Sequence, residues 1–328
     1  MCDNEQLYFH EHRVQVVFFC LYACIFIVGV GGNLLVLYVI LGNKHMRTTI
    51  NLYLLNLATS DIIMSVFASS MFMGRWRFLG HGDWMCKLTH TSITLSVCVS
   101  TFTLAAIAVN RFLAVFYPFR SRNNSLTRTI TIIFCIDLAA IIISLPLVVM
   151  FIQVDWDPNP NLNSDREDLK FEGGMICGVD LEKWSRESIL AYNIFLKMSK
   201  FVIPFTIIVI CYTSIVIKLR KRARKRRSES LTAQQREEEE ARNKRMNKML
   251  ILVTIIFGIC WFPGQLSLMI FFYDDFLHCW TLRDLTMYIL HVLAMSSTCY
   301  NPFLYGFMNP AFKEAFGKLC SYARKTSL

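Results

Sequence analysis

The sequence predicts an all-α integral membrane protein built as a seven-transmembrane helix bundle. Three observations carry the prediction. Hydrophobic residues fill 54% of the 328 positions and the mean hydropathy is +0.41, too apolar for a soluble domain with a charged surface. Seven long apolar runs lie near residues 14–42, 50–77, 84–117, 127–153, 188–219, 246–273 and 282–306, and a bilayer core about 30 Å thick asks for roughly 20 such residues per helix. Finally, charge is segregated by loop. Residues 218–248 hold 13 Lys/Arg against 5 Asp/Glu, a net of +8, whereas 155–187 hold 9 acids against 4 bases, a net of −5.

This organisation predicts an N-terminal segment 1–13, a membrane domain 14–306 and a tail 307–328. The first run follows a short polar stretch without the basic region and cleavage site of a signal peptide, so it serves as the insertion signal. The runs longer than 20 residues have room to tilt or to protrude. Pro204, Pro263 and Pro302 interrupt the fifth, sixth and seventh runs, where each frees a carbonyl and bends the helix. The connection at about 220–245 reads as a mobile loop or a helical extension, its basic residues lying on anionic lipid or facing a partner.

Lys44 and Arg47, then Arg120, Arg122 and Arg128, then the 218–248 stretch and Lys313 to Lys325 all fall on one side, which the positive-inside rule makes cytoplasmic. The N-terminus is then outside and the C-terminus inside a plasma-membrane protein. The Asn123 sequon falls on the cytoplasmic side and is expected to stay unused. The formal net charge of +10 is thereby assigned to a membrane face and not to nucleic acid. The 12 cysteines show no metal-ligand spacing, so a zinc site is not expected.

Polar residues within the runs are costly there, and so they point inward. Asp61 lies near the middle of the second run. Asn33, Ser100, Ser297 and Asn301 lie at comparable depths, and their oxygens suit a hard cation or a water-filled polar cluster. Trp261 sits beside the break at Pro263.

With these residues assembled, the chain resembles the rhodopsin-like (class A) G protein-coupled receptors over nearly its whole length, within their peptide-receptor branch. The resemblance rests on Gly32, Asn33 and Leu34; Asn56, Leu57, Ala58 and Asp61; Cys86 and Arg111; Pro146; Cys177; Pro204 and Tyr212; Phe257 and Cys260 to Pro263; and Asn301, Pro302 and Tyr305. It implies a Cys86–Cys177 disulfide, which the oxidising exterior permits. It implies an allosteric sodium pocket formed by Asp61, Ser100, Trp261, Ser297 and Asn301, with no other cofactor. It implies that Arg111 changes partners on activation as Tyr212 and Tyr305 swing toward it, with Asn110, Trp261, Pro263 and Pro302 in the same machinery. Heterotrimeric G protein, arrestin and receptor kinases are the implied partners. Phe312 and Phe316 with Lys313 and Lys318 suit an amphipathic eighth helix on the inner leaflet. Cys320 behind it is a candidate for palmitoylation. The C-terminal Thr326, Ser327 and Leu328 fit a strand that could add to a PDZ sheet.

Departures from the pattern carry their own expectations. Asn110 stands where the family has an acid, Phe112 replaces its usual tyrosine, and Asn243 stands near a second restraining acid, so Arg111 lacks its resting charge pair. Appreciable ligand-independent signalling is expected. Asp137, beside Ile136 in the fourth run, is expected to make an interhelical hydrogen bond in its protonated form.

The outer halves of helices three, five, six and seven should line a ligand cleft. His90, Ile93, Thr94, Lys197, Lys200, Trp261, Gln265, Tyr288 and His291 are its candidate residues. Ile93 stands where an amine receptor needs a carboxylate. No Lys occurs between Thr281 and Pro310, which excludes a retinal Schiff base. Lys197 can snorkel to water, whereas Lys200 is one turn deeper and should seek an anion. Asp155, Asp157, Asp165, Glu167, Asp168, Asp274 and Asp275 make an acidic rim that would attract a cationic ligand. A basic peptide with a carboxylate placed deep satisfies both signs, and the alternative is an anionic lipid or small carboxylate. A channel or transporter would need a continuous polar path, which these few charges do not trace. An enzyme is not expected, for want of a paired or metal-binding constellation.

Overall fold

The computed structural model describes residues 12–74, 83–117, 126–156, 174–226, 234–273, 283–309 and 311–318. Seven long helices dominate it: α1 (His12–Gly42), α2 (Thr49–Gly74), α3 (Asp83–Phe116), α4 (Leu126–Ser144), α5 in two α-helical parts (Arg186–Lys197 and Ile203–Arg226) joined by a π turn (Met198–Val202), α6 (Gln234–Tyr273) and α7 (Arg283–Met308). The first six are long and apolar enough to cross a bilayer. In α7, also 26 residues long like α2, the polar Ser297, Thr298 and Asn301 are buried, so its polarity is spent against neighbouring helices and not on lipid.

The packing order follows from which faces are apolar. α1 lies against α2 and α7, α6 against α7, and α3 is the axis that touches α2, α4 and α5. The buried face of α5 runs through Ile189, Leu196, Ile208, Cys211, Tyr212 and Ile215 at helical spacing. α4 instead turns Ile130, Phe134, Leu138, Ile141 and Ile142 outward, an apolar stripe that only lipid can cover.

The fourth apolar run does not continue as helix to residue 153. α4 stops at Ser144; Pro146 begins a single further turn (Leu147–Met150), and the chain then becomes strand β1 (Phe151–Trp156). β1 pairs antiparallel with β2 (Gly174–Val179), with Gln153 opposite Cys177. The physical reason is that Phe151, Ile152 and Val154 suit a strand as well as a helix, and a proline costs the preceding turn a hydrogen bond. The membrane domain is all-helical as expected, with this hairpin added on the outer loop. Cys86 at the start of α3 and Cys177 in β2 form a disulfide, which fixes the hairpin over the bundle.

At the other end the helices outlast the apolar runs. α5 continues to Arg226 and α6 begins at Gln234, so much of the 220–245 connection is helical extension. At the start of α5, Ser185 caps the helix by accepting from the Ser188 N–H at 3.2 Å. After α7, the Asn309 side chain accepts from the Ala311 N–H at 3.1 Å and opens the eighth helix, α8, over residues 311–318. Phe312 is fully buried there against Tyr305, ring centroids 5.7 Å apart, while Lys313, Glu314 and Lys318 are exposed. The Lys318 ammonium bonds Glu314 at 2.7 Å and holds its carboxyl below the usual carboxylate range.

Close helix approach is arranged with small residues. A Cβ at Gly32 would lie 2.9 Å from Pro302 Cγ, and one at Gly29 would collide with the Ser65 hydroxyl. These two glycines bring α1 against the kinked part of α7 and the polar part of α2.

Candidate functional site

The candidate residues occupy three levels of the bundle. At the outer level, His90, Ile93 and Thr94 share one face of α3 at spacings of three and four residues. Tyr288 and His291 likewise share a face of α7. The structure joins the two helices' histidines: His90 and His291 lie within electrostatic reach of each other. The Tyr22 hydroxyl of α1 meets His291 Nδ1 at 2.5 Å, and Phe18 packs on Tyr288 with centroids 5.7 Å apart. His90 stacks on Phe151 of β1 at 4.0 Å and 14°, so the hairpin forms part of the cleft wall. Phe18, Tyr22 and Phe151 were absent from the sequence-derived set. For Tyr22 a signal existed, because a tyrosine buried within an apolar run needs a partner for its hydroxyl.

Thr94 is buried and Ile93 packs on the core. Gln265 is half-buried on α6, and no described residue bonds its amide. Lys200 lies in the π turn of α5 that packs on α3, with Lys197 in the turn before it. Of the acidic rim, Asp157, Asp165, Glu167, Asp168, Asp274, Asp275 and the Asp155 side chain lie outside the described residues.

The middle level is a polar core. Asn301 Nδ2 donates to Asp61 Oδ2 at 2.7 Å, and both residues are buried. Ser65 Oγ donates to the Asp61 carbonyl at 2.8 Å and to Thr298 Oγ1 at 3.0 Å. Asn33 Nδ2 donates to the Gly29 and Thr298 carbonyls at 2.8 and 3.0 Å. Ser100 shares a 2.8 Å hydrogen bond with Ser60, and Trp261 Nε1 donates to Ser297 Oγ at 3.1 Å. Ser60, Ser65 and Thr298 thus belong to this network although sequence reading passed over them. A helical hydroxyl usually bonds its own backbone one turn back, which gives no hint of an interhelical partner. Asn33 Oδ1 is buried with no hydrogen-bond partner among the described residues. That orphan oxygen, together with the Asp61 carboxylate and the Ser100 and Ser297 hydroxyls, is a donor set that suits a small hard cation.

Beside this core, Asn56 donates to Asp137 Oδ1 at 3.1 Å and to Thr103 Oγ1 at 3.2 Å, tying α2, α3 and α4. The expected interhelical bond is there, but Asp137 accepts it and needs no proton to do so. An aromatic column, Phe201–Trp261–Phe257–Phe205, has successive centroids 6.0, 5.8 and 6.3 Å apart. Phe201 and Phe205 are themselves 6.4 Å apart, so the four rings close into one cluster between α5 and α6.

At the third level, the end of the bundle away from the disulfide, Arg111 is half-buried, and no described carboxylate pairs with it. Its guanidinium donates to the Met246 sulfur at 2.6 Å, a weak acceptor, and Nε has no partner among the described residues. Tyr212 lies within electrostatic reach of Arg111. The Tyr305 hydroxyl is buried without a hydrogen-bond partner among the described residues. Two contacts brace the helix ends here: Lys218 lies over the Phe116 ring at 3.9 Å, and Arg245 donates to the Phe307 carbonyl at 3.1 Å. Asn110 is half-buried beside Arg111. Pro263 and Pro302 lie within α6 and α7. The Asn243 side chain, Asn123, Cys320 and the C-terminal residues lie outside the described set.

Comparison with known proteins agrees with this architecture. Residues 32–305 match the model of the 7 transmembrane receptor (rhodopsin family). Among similar proteins, Neuropeptide FF receptor 2 of Mus musculus is 30% identical, the alignment covering 94% of this chain and 73% of that protein. Neuropeptide Y receptor type 6 of Oryctolagus cuniculus is 32% identical, covering 89% and 77%. The Allatostatin-A receptor of Bombyx mori is 29% identical, covering 94% and 79%.

Proposed function

This chain belongs to the rhodopsin family of seven-transmembrane receptors, and from that membership we propose that it binds an extracellular peptide and passes the event to a heterotrimeric G protein. The relatives are receptors for neuropeptide FF, neuropeptide Y and allatostatin-A by name, and this similarity carries the peptide reading over that of a lipid acid. The outer cleft suits a peptide. Its aromatic and imidazole walls offer rigid contact area with polar tips, and a disulfide-fixed hairpin forms one side.

Transmission to the cytoplasm follows from what is left unsatisfied there. A buried polar atom without a partner costs about 1–3 kcal/mol. Arg111 Nε and Tyr305 Oη are two such atoms in the cytoplasmic half, and Tyr212 is adjacent to the arginine. A rearrangement that paired them would recover part of that cost. Ligand pressure on Trp261, whose indole holds α6 to α7 through Ser297, has a packed aromatic route toward that level.

Asp61, Ser100, Ser297 and Asn301 would hold a sodium ion, which would supply a positive charge to the buried Asp61 carboxylate. The N-terminus lies outside the plasma membrane and the C-terminus inside. The basic inner face and α8 rest on anionic lipid, and the tail offers Cys320 to acylation and its last residues to a PDZ domain, with receptor kinases and arrestin as regulators.

The test is nucleotide exchange on purified G protein by receptor-containing membranes challenged with a neuropeptide library. A saturable increase is expected. Peptide-induced ion conductance without exchange would refute the reading.

A further inference from the structure

Lys200 lies within α5 and has no anion beside it among the described residues. It lies on the inward stripe of α5, four residues from Leu196 and from Pro204, both buried. It also lies within the π turn Met198–Val202 that packs against α3. A π turn adds a residue to the helical repeat and re-aims the side chains around it. Lys200 comes within electrostatic reach of Cys98 on α3 and of Lys197 one turn above. Among the described residues no carboxylate pairs with it and no hydrogen bond to it is made. Its surface is nevertheless partly accessible, although its ammonium lies deep among protein atoms. Its place between buried Leu196 and Pro204, in a turn packed on α3, turns it toward the bundle.

The surroundings sharpen the point. Cys98 is fully buried. The Tyr192 hydroxyl donates to the Ile143 carbonyl of α4 at 2.7 Å, so the nearby phenol is occupied as a donor. Phe201, the next residue, heads the aromatic column that passes through Trp261.

A buried ammonium keeps its charge at low cost only when an anion arrives. Lys197, a second cation one turn above, raises the preference for a negative group and sets the direction from which it enters. We propose that Lys200 is the receptor for a carboxylate of the activating ligand, and that docking of this carboxylate, with Lys197 guiding it, selects acidic ligands over their neutral amides. This rests on the peptide reading above, and a carboxylate can come from a peptide C-terminus, an acidic side chain or a fatty acid.

The experiment uses the full-length receptor in membranes and in detergent. The first arm measures nucleotide exchange with matched synthetic peptide pools bearing either a free C-terminal carboxylate or a C-terminal amide, with acidic side chains present or replaced by their amides, and with a medium-chain fatty acid as a further probe. An acid-bearing pool should activate wild type. Lys200→Ala should weaken it roughly 30-fold or more, the scale for removing one partner of a buried charge pair. Lys200→Arg should recover part of that loss, and the amide version should be equally weak on wild type and Lys200→Ala. The pool that responds identifies the source of the carboxylate. Acid and amide pools of equal potency on wild type, or a Lys200→Ala variant that weakens both alike, would overturn the proposal and leave the peptide reading standing. Activation by the fatty acid alone, lost in Lys200→Ala, would keep Lys200 and remove the peptide.

The second arm needs no agonist. The thermal midpoint of the purified receptor is measured with 4-phenylbutyrate and with 4-phenylbutyramide up to their solubility limits. Stabilisation by the acid alone, abolished in Lys200→Ala but kept in Lys197→Ala at reduced strength, is expected. No selective stabilisation by the acid overturns the proposal, even where the peptide pools activate.

Discussion

Replacing Gly29 by alanine tests the packing of the polar core more sharply than removing any of its hydrogen bonds. A Cβ there would overlap the Ser65 hydroxyl and sit 2.9 Å from Thr298 Oγ1 and 3.2 Å from Ser65 Cβ. Overpacking of this kind costs about 1–3 kcal/mol. Rotating Ser65 out of the way would also give up its bonds to the Asp61 carbonyl and Thr298, each contributing about 1 kcal/mol. Against this, alanine gains about 1 kcal/mol over glycine in a helix. The net is a destabilisation of about 2–4 kcal/mol. Gly31 is the internal reference, because a Cβ there meets nothing within 4 Å and only the helical gain remains. Thermal unfolding of the two purified variants, expressed and solubilised alike, should therefore place Gly29→Ala several degrees below Gly31→Ala. Adding Ser65→Ala to Gly29→Ala should restore part of the loss, since it deletes the hydroxyl but leaves the 3.2 Å Cβ contact. A Gly29→Ala midpoint equal to or above that of Gly31→Ala would show that α1 does not approach α2 and α7 as described, and the polar core built on that approach would fail with it.

Three other outcomes follow from named contacts. Arg245→Ala removes the bond to the Phe307 carbonyl that ties α6 to the end of α7, and Asn110→Asp supplies Arg111 with an acid. Basal nucleotide exchange at matched surface expression should rise in the first and fall in the second, each by a few fold, and an unliganded wild type no more active than receptor-free membranes would contradict both. A thermal double-mutant cycle on Asn56→Ala and Asp137→Ala should give a coupling of about 1 kcal/mol through their 3.1 Å bond; additive effects would mean that the two side chains do not meet. Cys177→Ser frees the hairpin that places Phe151 against His90, and loss of a native disulfide costs about 2–5 kcal/mol, so surface expression measured by flow cytometry should drop sharply.

The bundle was legible in the sequence because lipid leaves so few choices. A run of twenty apolar residues can only be a span, and the loop charges orient it. Polar residues buried at mid-depth were legible for the same reason, as Asp61, Asn33 and Asn301 show. What stayed hidden were facts that depend on which residue meets which. Tyr22 and His291 are 269 positions apart, and nothing local to either announces the other. Ser65 and Thr298 look like ordinary helical hydroxyls. The end of α4 was not legible because Phe151, Ile152 and Val154 suit helix and strand alike, and only the β2 partner decides for strand. The inner ends of α5 and α6 are charged, so the apolar pattern stops before the helices do. Met246 as the neighbour of Arg111 carried no sequence signal, since a thioether is an unremarkable filler of cores.

The length of α6 has a mechanical consequence. Pro263 cannot donate to the preceding turn, so it is a natural fulcrum, and at 1.5 Å per residue the arm from it to Gln234 reaches about 43 Å. The arm on the other side, out to Tyr273, reaches only about 15 Å. A tilt of about 10° at the proline would move the short arm's tip by about 2.6 Å and the long arm's tip by about 7.5 Å, roughly a threefold gain in travel. A nudge no larger than a side-chain rotation at the mouth of the molecule becomes, at its inner end, a displacement of about two-thirds of a helix's diameter.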